Sequence, residues 1–201
     1  MKQNKVWEYT KAIGTALLLA MVIRTYIIQA FKIPSGSMIP TLLVGDHLLV
    51  NKFIYGTKLP FSDKRIFALR KPGRGDIVVF KYPEDESRDF IKRVIGAEGD
   101  TVEERDKIIY VNGKPVAEPY VQHTDNSLRP DGADPRDNFG PFLVPKDKLF
   151  VMGDNRDQSY DSRYWGYVDI KELKGKALVL YWSWDSMKTM PRFGRLGRVL
   201  R

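Results

Sequence analysis

The sequence contains no cysteine and only two histidines, which excludes several kinds of site. Without cysteine the chain has no disulfide bond, no thiolate nucleophile and no cysteine ligand for zinc or an iron–sulfur cluster. Neither His47 nor His123 belongs to an H-x-x-x-H or H-E-x-x-H pattern. We therefore predict no metal site, and hydroxyls, carboxylates and lysines remain as candidates for catalysis.

Acidic residues are outnumbered by basic ones, and the net charge of +8 favours an anionic partner. The 201 residues suit one domain plus an anchor. Nucleic acid is one candidate partner, but the chain lacks a basic motif with stacking aromatic residues such as RNP1. Because the chain also carries an apolar run, we expect the lipid bilayer, and not nucleic acid, to be the partner.

That apolar run, residues 12–31, predicts a single transmembrane anchor, since about 20 apolar residues cross about 30 Å of hydrocarbon. Arg24 interrupts the run near its far end, where a long basic side chain can extend to the interface. The lysines of residues 1–11 favour a cytoplasmic N-terminus, with residues 32–201 outside the cytoplasm. A cleaved secretory signal is the alternative, but residues 29–32 form a poor cleavage site.

After the anchor, short apolar runs bounded by glycine and proline predict a mainly β, antiparallel domain. A hairpin is expected over 101–116, with its turn at Asn112-Gly113. The other predicted strands are 47–53, 76–82, 90–95, 148–152 and 177–182.

Two stretches of this domain lack strand periodicity. Residues 118–147 are polar and hold many of the prolines, so we expect a long loop or a small excursion. Residues 188–201 carry several arginines and no acid. This tail is expected either to lie on anionic lipid headgroups or to be a solvated end of the chain.

Ser37 lies between Pro34 and Pro40, directly after the anchor. Proline fixes φ and Gly36 permits unusual backbone angles, so we expect a stiff, extended connection here and not a helix. That position would hold Ser37 at the bilayer surface, where it can act as a nucleophile if a base takes its proton. An ordinary turn rich in serine, glycine and proline is the alternative.

Lys92 is a candidate for that base because it lies in the apolar run Phe90–Ile95. In a strand it shares a face with Phe90 and Val94, and desolvation there would lower its pKa and leave the amine neutral. An edge-strand lysine that blocks aggregation is the alternative. His47 is the next candidate base. A third polar segment, residues 153–163, offers carboxylates, arginines and hydroxyls in a turn-rich loop.

Together these segments resemble the bacterial type I signal peptidases, membrane-anchored serine proteases that remove signal peptides from exported proteins. The resemblance covers most of the chain and rests on five segments in family order, which are 34–42, 45–52, 74–80, 91–100 and 153–163.

The resemblance implies a role for each matched residue. Ser37 is similar to the family's nucleophile and Lys92 to its general base, while the Ser35 hydroxyl and the Ser37 N–H match the oxyanion hole. Ser159 resembles the residue that orients the lysine amine. The charged residues expected to support this arrangement are Arg93, Asp154, Asp161 and Arg163.

The implied function is cleavage of exported precursor proteins at the membrane surface, through an acyl-enzyme and without a metal or organic cofactor. The family fold is a β-rich catalytic domain with an apolar face against the bilayer. An anchored module of the same fold without activity is the competing hypothesis, and the presence of both Ser37 and Lys92 argues against it.

Overall fold

The computed structural model describes residues 2–58, 65–66, 68–129, 132 and 134–200. The N-terminal segment is a helix, α1 (Lys2–Val22), which continues as a π-helix over Ile23–Ile27. Within it, 23 residues from Lys5 to Ile27 are long and apolar enough to cross a membrane, and none of the window is buried inside the protein. The helix ends before the predicted residue 31, because the chain from residue 28 onward pairs as a strand.

Strands and turns make up most of the remaining chain. The strands are β1 (Ile28–Lys32), β2 (Asp46–Asn51), β3 (Thr57–Lys58), β4 (Arg65–Ile66), β5 (Ile77–Tyr82), β6 (Asp85–Ala97), β7 (Thr101–Arg105), β8 (Ile108–Val111), β9 (Lys114–Pro115), β10 (Phe139–Leu143), β11 (Lys148–Met152), β12 (Val168–Asp169), β13 (Leu173–Asp185) and β14 (Met190–Pro191). One short helix, α2 (Ser162–Trp165), and 3-10 turns at Arg156–Gln158, Ile170–Glu172 and Phe193–Arg195 complete the described elements.

The main sheet has eight strands, in the order β1-β2-β13-β5-β6-β11-β12, with β14 paired to β13. A second sheet has the order β10-β7-β8-β9, and β3 pairs with β4. Every pair of strands among the described residues is antiparallel. The predicted fold class, a mainly β antiparallel domain after a single helix, is therefore confirmed.

The predicted hairpin over 101–116 is a three-stranded meander. Asn112-Gly113 does form a turn, but it joins β8 to β9. The turn between β7 and β8 is at Asp106 and Lys107, with φ of 50° and 66°. Two successive left-handed residues suit the twist of a two-residue hairpin, and Asp tolerates this region better than most residues. Residues 118–147, predicted as a loop, also include strand β10 at their end.

The C-terminal tail packs against the main sheet through its last described residue, so it is not a frayed end, although most of its side chains are exposed to solvent. Leu200 is only 4% exposed and belongs to an apolar cluster with residues of β2 and β13. Its N–H donates to the carbonyl of Leu178 at 2.8 Å. Arg195 lies against Asp46, whose carboxylate is fully buried. Because the tail is rich in arginine, its composition did not indicate that an apolar residue, Leu200, anchors it.

Candidate active site

The segment around Ser37 is held by two buried apolar side chains. Met38 and Leu42 are fully buried in the cluster that also contains Leu200. The segment turns, because the Ile39 N–H donates to Gly36 O at 3.1 Å and the Leu42 N–H donates to Met38 O at 2.8 Å. The prediction of an extended connection was wrong, since the turn is what brings both apolar residues into one cluster. Ser37 itself is only half-buried.

Lys92 lies on β6 and is 4% exposed. Its amine lies 5.6 Å from the centre of the Phe90 ring, and Phe90 packs against the apolar cluster that includes Val94. These are the two residues expected on its face of the strand. The Lys92 Nζ atom lies 2.7 Å from the Ser37 Oγ atom. Two residues that are 55 positions apart in the sequence are thus within hydrogen-bond distance.

Burial lowers the pKa of the Lys92 amine from 10.5 to about 8, because the charged form is poorly solvated there. The negative charges of Asp161 and Asp154 oppose this shift, and the positive charge of Arg163 adds to it. At mildly alkaline pH a large fraction of the amine is therefore neutral. A neutral amine has the lone pair that is needed to accept the serine proton.

The loop after β11 closes over the serine segment through Asn155. The Asn155 N–H donates to Ser37 O at 3.1 Å, and its side-chain Nδ2 donates to Gly36 O at 3.1 Å. Because β11 pairs with β6, this loop starts beside Lys92. Asn155 was not singled out from the sequence, where it is one polar residue among many in segment 153–163.

Gly153 lets three parts of the site approach one another. A Cβ added to it would lie closer than real Cβ atoms come to both the Ser159 Oγ atom and the Ser37 carbonyl oxygen. Ser159 is 6% exposed, and its Oγ makes no hydrogen bond of normal geometry with the described residues. It does lie close enough to Asp161 to help lower the pKa of that carboxyl.

Arg93 and Asp154 form a buried, bidentate ion pair behind the site. The Arg93 Nε and Nη2 atoms donate to Asp154 at 2.8 and 2.7 Å, and both side chains are at most 2% exposed. The Thr41 hydroxyl donates to the same carboxylate at 2.5 Å. The pair thereby connects β6, the loop after β11 and the serine segment, and this use of Thr41 was not predicted.

Asp161 and Arg163 form a second buried pair. The Arg163 Nε and Nη2 atoms each donate to Asp161 at 2.9 Å, and the Gly153 N–H donates to the same carboxylate at 3.1 Å. Burial alone would raise the pKa of Asp161, but the charge and hydrogen bonds of Arg163 lower it below its ordinary value. Asp161 therefore stays ionised near Lys92.

Glu104 was not predicted and adjoins this pair. Its side chain is fully buried, with Arg163 Nη1 at 3.9 Å from Oε2. Neither carboxyl oxygen has a hydrogen-bond partner among the described residues. Burial raises the pKa of Glu104 to about 7, although the charge of Arg163 opposes the shift. In the sequence, Glu104 is one of two adjacent glutamates in the strand Thr101–Arg105, and nothing there distinguishes it from Glu103 or indicates such an environment.

The remaining groups considered from the sequence are Ser35, the Ser37 N–H and the two histidines. Ser35 is exposed and forms no hydrogen bond with the described residues. The Ser37 N–H also has no acceptor among them, so this backbone donor is unoccupied. His47 lies in β2 and packs edge-on against the ring of Tyr181 in β13, and His123 lies 3.5 Å from Asp157. Within the described chain neither histidine is hydrogen-bonded to Ser37, and Lys92 is.

Comparison with known proteins identifies the family. Residues 6–182 match the family model "Signal peptidase, peptidase S26". The chain is 38% identical to signal peptidase I of Pseudomonas fluorescens, over 98% of this chain and 81% of the relative. It is 40% identical to the probable signal peptidase I-2 of Synechocystis sp., over 96% of this chain and 78% of the relative.

A solved structure of a signal peptidase I from Enterococcus faecalis V583 is 33% identical, covering 53% of this chain and 97% of that chain, with a TM-score of 0.43. At that score the structural likeness carries no weight, and the sequence matches are sufficient. The chain therefore belongs to the signal peptidase family, peptidase S26, and is a peptidase with an N-terminal apolar helix suited to anchoring it in a membrane.

Proposed function

We propose that this protein removes signal peptides from exported precursor proteins at the membrane surface, with Ser37 as nucleophile and Lys92 as general base. The observation that carries the proposal is the 2.7 Å separation between Lys92 Nζ and Ser37 Oγ at a nearly fully buried lysine. Family membership supports the reaction, and the contacts of the site support the roles of the two residues.

In the acylation half of the reaction, neutral Lys92 accepts the Ser37 hydroxyl proton as Oγ bonds to the scissile carbonyl carbon. The oxyanion that forms is stabilised by the Ser37 N–H and the Ser35 hydroxyl. The protonated Lys92 then gives its proton to the leaving amine as the carbon–nitrogen bond breaks. The product is an ester between Ser37 and the signal peptide.

Deacylation repeats these steps with water. Lys92 takes a proton from water, the resulting hydroxide attacks the ester, and the proton returns to Ser37 Oγ as the ester bond breaks. Ser159 orients the lysine amine through its hydroxyl, which lies beside Asp161. The pairs Arg93–Asp154 and Asp161–Arg163 hold the loop in place without taking part in proton transfer.

Location follows from the helix and the charges that flank it. The window Lys5–Ile27 crosses the bilayer, and the lysines of residues 1–11 keep the N-terminus in the cytoplasm. The domain of residues 32–201 then lies outside the cytoplasm, and Ser37 follows the helix by only ten residues. A precursor whose signal peptide is still in the bilayer can therefore reach the site.

The test is cleavage of a purified precursor by the detergent-solubilised full chain, comparing wild type with Ser37→Ala and Lys92→Met. Methionine matches the length of the buried part of lysine and removes the amine, so the fold should persist. We expect wild type to cut after a small-x-small sequence. We expect Ser37→Ala to be inactive and Lys92→Met to lose about 10²–10⁴-fold in rate, the usual worth of a general base.

The outcomes separate the competing hypotheses. If folded Lys92→Met keeps wild-type activity, Lys92 is not the base, and His47 becomes the next candidate. If wild type cuts no precursor, the chain is an inactive member of the family. Circular dichroism and thermal unfolding of each variant show whether a loss of activity reflects a loss of fold.

A further inference from the structure

A cavity outside the proposed active site lies where the N-terminal helix meets the main sheet. It has a volume of about 810 Å³ and is lined by the end of α1, the π-helix, β1, β2 and the residue after β2. This volume is within the range of about 300–1,000 Å³ that is typical of small-ligand sites. The catalytic proposal uses none of its lining residues.

The charged residues of the lining are two cations, Arg24 and Lys52, and no acid faces them within the cavity. Neither forms an ion pair with any residue that the structure describes. Burial lowers the pKa of Lys52, and the nearby charge of Lys174 lowers it further. An anion in the cavity would offset both effects. The electrostatics of this site therefore favour an anionic ligand.

The uncharged part of the lining is largely apolar and includes Ile23, Ile28 and Leu49. The cavity lies at the end of the membrane-crossing window, where lipid headgroups meet hydrocarbon. The Lys52 N–H donates to Ile27 O at 2.9 Å, so one cation of the cavity is tied to the end of the helix. A ligand that matches both parts of the lining would carry an anionic group, such as a phosphate, next to a hydrocarbon chain.

We propose that this cavity binds one anionic glycerophospholipid, with its phosphate between Arg24 and Lys52 and the start of an acyl chain against Ile23 and Leu49. The bound lipid would join the anchor helix to the sheet at a fixed depth in the bilayer. This proposal depends on the helix crossing the membrane and is independent of the catalytic roles of Ser37 and Lys92.

The experiment is native mass spectrometry of the full chain in a neutral detergent, titrated with phosphatidylglycerol or with phosphatidylcholine of the same acyl chains. We expect one phosphatidylglycerol to bind at least 10-fold more tightly than phosphatidylcholine. In Arg24→Gln/Lys52→Gln we expect the affinity for phosphatidylglycerol to fall about 30-fold, since each basic residue near an anionic headgroup contributes about fivefold.

The controls address charge, fold and the source of the phosphate. Lys114→Gln/Lys146→Gln removes two exposed cations elsewhere and should bind lipid like wild type. Arg24→Lys/Lys52→Arg keeps both charges and should retain the preference for phosphatidylglycerol. Glycerol 3-phosphate, which lacks acyl chains, should compete at least 10-fold more weakly than the lipid.

The proposal is overturned by any of three results. These are equal binding of the two lipids by wild type, an undiminished preference in Arg24→Gln/Lys52→Gln, and competition by glycerol 3-phosphate as strong as that of the lipid. The last result would assign the cavity to a free phosphate. Precursor cleavage is measured on the same samples, so failure of the lipid site is distinguished from failure of the catalytic proposal.

Discussion

A lysine amine 2.7 Å from a serine hydroxyl needs a backbone that brings two distant segments together, and single residues decide how closely they approach. Gly153 is one such position, because it lies between the Ser37 carbonyl and the Ser159 hydroxyl. Glycine is required here because the neighbouring atoms are so close that they leave no room for a Cβ.

Gly153→Ala should therefore displace the serine segment or Ser159 and lower kcat/KM for precursor cleavage by at least about 10²-fold, the cost of a misplacement near 1 Å. Gly194→Ala is the matched control, because a Cβ at Gly194 meets nothing within 4 Å. Kinetic assays of both variants measure the effect. Equal activity of the two variants would contradict the packing described around Ser37.

At the scale of elements, the C-terminal tail supports the start of β2. Arg195 donates to Asp46 at 3.1 and 2.5 Å, and to the carbonyl of Thr41 at 2.9 Å. Asp46 also accepts from the Ser183 hydroxyl at 2.6 Å. Burial would raise the pKa of Asp46, but Arg195 and these hydrogen bonds lower it. The tail thus neutralises a buried carboxylate next to the serine segment.

Arg195→Gln should lower the free energy of unfolding by roughly 1–3 kcal/mol, because a buried charged group loses part of its hydrogen bonding. Arg198→Gln removes the same charge from an exposed position three residues away and should change stability by less than about 0.5 kcal/mol. Denaturant unfolding in detergent measures both variants. Similar losses of stability in the two variants would mean that Arg195 contributes only through its positive charge and not through its contacts with Asp46.

The elements could largely be predicted from the sequence, because strand periodicity and glycine–proline punctuation are local signals. The strand that carries Lys92 and its apolar face were predicted for that reason. The turn at Asp106-Lys107 and the anchoring of Leu200 depend on contacts between distant segments, which local patterns do not encode. The same holds within the site, where Asn155, Thr41 and Glu104 acquire their environments only in the folded chain.

At the scale of the whole molecule, the lack of cysteine makes the predicted orientation directly testable. In Lys146→Cys the single thiol lies on the domain, and in Lys5→Cys it lies at the N-terminal end of the membrane-crossing window. With a membrane-impermeant thiol reagent, we expect Lys146→Cys to be labelled in intact spheroplasts. Lys5→Cys should be labelled only after the membrane is permeabilised. The reverse pattern would place the domain in the cytoplasm.

The neutrality of Lys92 is the central claim, and the pH dependence of kcat/KM for precursor cleavage by the full chain tests it most directly. With a pKa of about 8, lowered by burial, the amine is mostly charged below that pH and mostly neutral above it. The rate should therefore rise with pH through about 8 and be about 100-fold lower at pH 6 than on the alkaline plateau.

The titration of Glu104 overlaps the acid limb of that profile, because its pKa of about 7 is close to the pKa of Lys92. Glu104→Gln removes its titration and should leave the acid limb near pH 8. The prediction is an acid limb near pH 8 in both wild type and Glu104→Gln. A flat profile down to pH 5, or a limb that disappears in Glu104→Gln, would contradict Lys92 as the base.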